Sequence, residues 1–259
     1  MKSDIKNHWN WIHKNRSFNF IKKMPIFEWL QNYQFYWYIT RFKKKSYTSI
    51  FEVGCAPGNY LINSHKKFWL TPYGIEYSEE GAKKMFENFK TNKIDRSGLI
   101  QWDFFDNKFL ENNKEKYDIV YSIGFIEHFE DTKPVVERHF ELVKKWWLVI
   151  MCIPNVRYVN RYLTPKKIVD LHNTSIMDIK VLKKILEWHK ILKICYTWGL
   201  FNWWLFFYEN RFLEKIRFLL FIIQRLIFDP ILILLYIIWI NLSNKYTSPQ
   251  IIIIARKEE

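Results

Sequence analysis

The spacing of apolar and polar residues along this chain switches repeatedly between two periods. Short runs rich in β-branched and aromatic residues, Ser49 to Val53, Tyr73 to Tyr77, Gly98 to Trp102, Tyr117 to Ile123 and Leu148 to Ile153, have the length and composition of strands. The longer stretches between them, Asn59 to Phe68, Glu79 to Thr91 and Pro134 to Lys145, repeat apolar positions at helical spacing. Strand and helix taking turns predict an α/β fold with a mostly parallel sheet covered on both faces. Ile26 to Phe42 predicts an entry helix. Asp178 to His189 predicts a helix leading to a strand at Ile191 to Thr197, and the wholly apolar Gln250 to Ala255 supplies a seventh strand.

Residues 199–246 interrupt this alternation with an apolar insertion. Its longest uncharged run, Pro230 to Asn244, is 15 residues, against the roughly 20 that a spanning helix needs. Arg217, Arg225 and Asp229 interrupt the apolar stretch and Pro230 predicts a break, so two short amphipathic helices are expected. They either cap the sheet, lie on a membrane surface or line an apolar acceptor pocket. The domain plan is an N-terminal helical cap at 1–46, a main domain at 47–198 with 247–259, and the insertion at 199–246.

Composition narrows the class. At 259 residues, 49% hydrophobic and 25% charged, the chain excludes disorder, collagen-like repetition and a polytopic membrane protein. Lys+Arg 40 against Asp+Glu 26 gives +14, which draws the surface toward anions such as lipid head groups, nucleic acid or phosphorylated substrates. Three widely spaced cysteines and seven histidines show neither a disulfide framework nor metal-ligand spacing, so no metal is expected. The N-terminal residues lack the apolar core of an export signal, and the expected location is cytoplasmic, with peripheral contact to the inner membrane face.

The segment Glu52-Val53-Gly54-Cys55-Ala56-Pro57-Gly58-Asn59 carries the strongest chemical signal. An apolar strand ends in an acidic residue and passes through small residues into a helix, where backbone can approach a ligand and helix N–H groups face it. The dinucleotide pattern GxGxxG fits poorly, because Ala56 and Asn59 stand where glycines belong, and no Lys-Ser/Thr follows as a phosphate loop requires. Cys55 reads as a small filler of the turn rather than a nucleophile.

The segment resembles motif I of the class I S-adenosylmethionine-dependent methyltransferases, with Ala56 replacing the middle glycine. Later landmarks follow in the family's order. Glu76, before Tyr77, resembles the acidic residue on the ribose hydroxyls. Asp103, before Phe104, resembles the aspartate that accepts from the adenine amino group, with the next backbone N–H on the ring. Tyr117 to Ser122 resembles motif IV, and Glu127-His128 the turn after it. Leu142 to Ile150 is similar to the family's L-K-P-G-G-x-L-V-I, with Trp146 and Trp147 at the glycine positions. The resemblance implies a Rossmann-like seven-stranded sheet with an antiparallel last strand. It also implies S-adenosylmethionine as cofactor, held by Glu52, Gly54, Cys55, Ala56, Gly58, Glu76, Tyr77, Asp103, Phe104 and Ser122. His128 is the candidate catalytic residue, an imidazole placed to take the proton from a hydroxyl acceptor.

The expected activity is methyl transfer to a small-molecule, glycan or lipid-linked acceptor at a hydroxyl, with an anionic membrane surface as partner through 199–246. The alternatives are an RNA methyltransferase and a non-catalytic membrane-surface protein on the same fold. Against nucleic acid, the basic residues are dispersed, no RNA-binding module is visible, and Ser122-Ile123-Gly124-Phe125 stands where an amino-methylation motif would be. Finally, only 7 glycines accompany 13 tryptophans, where about 18 glycines are usual for this length. The turn at Trp146-Trp147 calls for glycine at positive φ, which suggests the hypothesis of a gene that reads UGA as glycine.

Overall fold

The computed structural model describes residues 10, 25–199, 211–238, 240 and 242–258. Seven strands form one sheet: β1 (Ser49–Val53), β2 (Thr71–Glu76), β3 (Leu99–Gln101), β4 (Tyr117–Ile123), β5 (Val143–Pro154), β6 (Lys190–Tyr196) and β7 (Gln250–Arg256). Their order is β3-β2-β1-β4-β5-β7-β6. β7 runs antiparallel to both β5 and β6, and the pairs β1·β2, β1·β4, β2·β3 and β4·β5 are parallel. The mostly parallel sheet is what the alternating pattern predicts, and its Rossmann-like order with an antiparallel last strand is what the resemblance implies. β1 and β4 are buried along almost their whole length because helices cover both faces.

The helices are α1 (Pro25–Phe42), α2 (Asn59–Phe68), α3 (Glu79–Thr91), α4 (Asn107–Asn113), α5 (Thr132–Leu142), α6 (Val159–Leu163), α7 (Lys166–Val169), α8 (Ile179–Ile185), α9 (Arg211–Ile223) and α10 (Asp229–Ile237). Two apolar cores lie on the two faces. One gathers Phe51, Val120, Val149, Ile153 and Ile253 under Val135, Phe140 and Leu182. The other gathers Ile50, Tyr121, Ile150 and Ile252 under Phe35, Ile39, Leu61 and Met85, so α1 is packed into the core of the sheet domain.

Two expectations change. β5 begins at Val143, five residues before the predicted Leu148, and passes through Trp146 at φ 67. Pro230 does not break the insertion: α9 passes through a π-helical turn, Gln224–Phe228, directly into α10. Proline is tolerated there because it directly follows the π-helical turn, where the Asp229 N–H bonds to the Gln224 carbonyl and the regular α-helical ladder is already interrupted. The aromatic stretch at 200–210, most of 1–24, and residues 239 and 241 lie outside the described residues.

Candidate active site

The parallel strands end along one edge. Val53 is in register with Ile75 and with Ser122, and Glu76 with Gln101. The turns that follow β1, β2, β3 and β4 therefore adjoin one another, and the strand order reverses between β1 and β4, where open α/β sheets take their ligands.

After β1 the chain must turn sharply. Gly54 sits at φ +70 and Gly58 at φ +90, both in the left-handed region that glycine enters without strain. A Cβ on Gly58 would stand 2.8 Å from the Phe89 ring, and one on Gly54 would stand 3.1 Å from Phe125. The Gly54 and Cys55 amides donate to the Ile75 carbonyl at 2.9 and 3.2 Å, fixing the turn to β2. Cys55 is buried with its thiol on Met85 Sδ at 3.0 Å, and burial pushes its pKa up, as suits a filler.

Glu76 is 7% exposed. Its Oε1 accepts from the Ser78 amide at 2.7 Å and its Oε2 from the Ala56 amide at 3.2 Å. Burial raises its pKa and these N–H groups oppose the rise. Glu52 lies deeper, buried on β1, and Oε2 accepts from the Tyr121 hydroxyl at 2.7 Å. Burial pushes its pKa well up, and the charge of Glu76 adds to the rise. Neither carboxyl is ion-paired among the described residues. An edge with two neighbouring buried carboxyls and no lysine or arginine on them suits a cationic ligand rich in hydroxyls, because each carboxylate accepts more bonds than it has here. S-adenosylmethionine has that chemistry, and the site fits it.

Asp103 stands exposed beyond β3, its Oδ1 accepting from the Phe105 amide at 2.9 Å. Phe104 is buried against Phe125 and His139, and Tyr77 is partly exposed. Ser122 is fully enclosed at the end of β4. Sequence reasoning missed Arg138 on α5, which donates to the Phe104 and Asp106 carbonyls at 2.7 and 2.6 Å and so holds the loop after β3.

Beyond β4, Gly124 at φ +70 opens a 3₁₀ turn, Ile126–His128. Glu127 is wholly buried, and burial pushes its pKa up to about 8. His128 is nearly enclosed, with Nδ1 3.2 Å from the Leu171 carbonyl and its ring 4.8 Å from that of His172. Glu127, His128 and His172 thus converge, a grouping that sequence spacing alone does not contain.

The sheet order, the glycine turn and the acidic strand ends define a class I S-adenosylmethionine-dependent methyltransferase. The family described as "Methyltransferase domain" matches residues 28–211, and this chain belongs to it. Among solved structures, the chain is similar to a SAM dependent methyltransferase from Archaeoglobus fulgidus, at 17% identity and TM-score 0.59, over 96% of this chain and 99% of that one. It is similar to Haemonchus contortus phosphoethanolamine N-methyltransferase 2 in complex with S-adenosyl-L-methionine, at 15% identity and TM-score 0.57, over 89% of this chain and 53% of that one. It is also similar to magnesium protoporphyrin IX methyltransferase from Synechocystis PCC 6803 with bound SAM, at 13% identity and TM-score 0.54, over 99% and 92%. No curated protein matches the chain in sequence.

Proposed function

We propose that this enzyme methylates a hydroxyl of a small-molecule, glycan or lipid-linked acceptor, and that Glu52, Gly54, Cys55, Ala56, Gly58, Glu76, Tyr77, Asp103, Phe104 and Ser122 surround its cofactor. The observation that carries the reading is Phe125. Its ring packs against Gly54, so the turn bearing His128 adjoins the turn that would hold the cofactor. When bound, S-adenosylmethionine supplies an electrophilic methyl group on a positively charged sulfur. The chain's own work is then to bind, orient and deprotonate.

Glu76 supplies negative potential at the strand edge, Glu52 backs it from inside β1 on the Tyr121 hydroxyl, and the glycine turn lets backbone N–H groups approach the ligand. The acceptor's proton is lost at the His128 turn. A carbonyl has no proton to give, so Nδ1 donates in the His128–Leu171 bond, and in the neutral imidazole the lone pair is on Nε2. A positioned imidazole contributes typically 10²- to 10⁴-fold to such a step.

The acceptor preference is proposed to come from the insertion. Leu219, Leu226, Ile227, Ile231 and Leu234 of α9, the π-turn and α10 are all half exposed or more, a surface suited to an anionic bilayer or a lipid-linked acceptor on a chain of charge +14. No helix among the described residues is long and apolar enough to cross a membrane.

The deciding experiment supplies methyl-labelled cofactor with hydroxylated small molecules, glycans and lipid-linked glycans, and follows S-adenosylhomocysteine and labelled product. His128→Ala is expected to lose 10²-fold or more in turnover with cofactor affinity nearly unchanged. Label appearing only on RNA, or on no acceptor, overturns the reading.

A further inference from the structure

The convergence of Glu127, His128 and His172 asks for a ligand. One ligand atom from each lies within 4.8 Å of the others, and Glu127 Oε1 is 3.9 Å from His128 Nε2. Glu127 is completely buried, yet neither of its carboxylate oxygens has a hydrogen-bond partner among the described residues. An orphaned buried carboxyl costs on the order of 1 to 3 kcal/mol or more, so its retention at a strand end points to a partner that the folded chain itself lacks.

The surroundings are built to hold this group. The Asn173 amide donates to the Glu127 carbonyl at 2.6 Å, and Asn173 Nδ2 donates to the Phe129 and Glu130 carbonyls, both at 3.1 Å. These bonds fasten the segment carrying His172 onto the turn carrying Glu127 and His128, which are more than forty residues apart in sequence. Both imidazoles have Nδ1 on a backbone carbonyl, that of Leu171 for His128 and that of Ile168 for His172. A carbonyl can only accept, so each Nδ1 is a protonated nitrogen, and in the neutral ring that ligates a metal the lone pair is on Nε2. A carbonyl behind the distal N–H is the usual second-sphere arrangement of a metal-ligating histidine.

We propose that Glu127, His128 and His172 form a binding site for a divalent transition-metal ion, through one carboxylate oxygen and two Nε2 atoms, and that the ion binds the acceptor's hydroxyl oxygen. Two nitrogens and one oxygen favour Zn²⁺, Fe²⁺, Co²⁺ or Mn²⁺ over Mg²⁺ and Ca²⁺, which prefer all-oxygen shells. Closing the three atoms to ligand distances of about 2.1 Å takes movement of the order of 1 Å, and three protein ligands leave a coordination position open. There the hydroxyl O–H bond breaks, its proton passes to solvent water, and the oxygen retains the electron pair that accepts the methyl group, as the S–CH₃ bond breaks with its electrons left on sulfur and S-adenosylhomocysteine departs. His128 then acts as a ligand rather than as the direct proton acceptor. This inference rests on hydroxyl methylation at this turn.

The test has two arms. In the first, full-length protein stripped with a chelator is titrated with Co²⁺ and followed by its visible d–d absorption, with Zn²⁺ as competitor. One equivalent should bind, and Glu127→Gln and His172→Gln should each weaken binding at least tenfold while calorimetric cofactor affinity and thermal unfolding stay near wild type. Absent d–d bands, or binding unaffected by both variants, overturns the site. In the second arm, methyl transfer is assayed with and without chelator. Chelation that leaves hydroxyl methylation unchanged overturns the metal while leaving the proposed function standing. Co²⁺ bound through the triad, in an enzyme that methylates no hydroxyl, keeps the site and removes that function.

Discussion

Tyr121 and Glu52 are opposite partners on β4 and β1, and the tyrosine hydroxyl donates to the carboxyl across the strand pair at 2.7 Å. Both side chains are buried, so this bond is what makes an acidic residue tolerable inside the sheet. Tyr121→Phe keeps the ring and removes the donor. Unfolding in urea is expected to show a loss of about 1 to 3 kcal/mol, the cost of a buried group left unsatisfied, and an unchanged midpoint would show that Glu52 does not depend on Tyr121.

Glu76→Ala removes the carboxyl that the Ala56 and Ser78 amides already orient. Two charge-assisted bonds to a diol are each worth about 1.5 to 3 kcal/mol, so calorimetric affinity for S-adenosylmethionine should fall tenfold or more. Asp103→Asn should weaken it as well, since an amide can turn its donor toward the adenine amino group. Affinities equal to wild type in both variants would remove the proposed cofactor placement.

His139 gives the fold a pH dependence. It is fully buried on α5 between the rings of Phe104 and Phe125, and burial holds its pKa down at about 4, against about 6.5 in an unfolded chain. Below pH 6.5 the unfolded state binds a proton that the folded state refuses, so stability falls as pH drops toward 4 and levels off below it. The difference in unfolding free energy between wild type and His139→Leu should therefore shrink by about 3 kcal/mol from pH 7 to pH 4. A difference independent of pH would assign the acid sensitivity elsewhere.

Two exposed tryptophans occupy glycine-like backbone. Trp146 has φ 67, as the turn before the apolar part of β5 leads one to expect, and Trp69, 84% exposed, caps α2 at φ 58. Trp147 differs: it stacks on Tyr47 with ring centroids 4.3 Å apart and is not among the positive-φ residues. Trp69→Gly and Trp146→Gly should each stabilise the fold by about 1 kcal/mol, while Trp147→Gly should destabilise it. Under the hypothesis of a gene reading UGA as glycine, UGA codons stand at positions 69 and 146. UGG codons there would dispose of it.

The sheet was legible because its strands are apolar on both faces: Ser49–Val53 and Tyr117–Ile123 begin and end where the pattern predicts. The start of β5 was hidden, since Lys144, Lys145 and Trp146 are polar or exposed and break the apolar run. Helix α4 was missed because Asn107–Asn113 offers few apolar positions to a periodic search. Within the site, Glu76 stood out because it closes β2, and Asp103 because it follows the end of β3 by two residues. His172 did not, because hydrogen bonds of Asn173, far along the chain, bring it to the Glu127 turn.

The place of β7 between β5 and β6 also sets an order of assembly. Residues 250–256 supply the hydrogen bonds of both neighbours, so on the ribosome β5 keeps an open edge and β6 has no partner strand until this segment has emerged. The apolar helices α9 and α10 are synthesised in that interval. They leave the ribosome beside an unfinished sheet, and the strand that completes the domain is also the one that fixes both ends of the insertion in place.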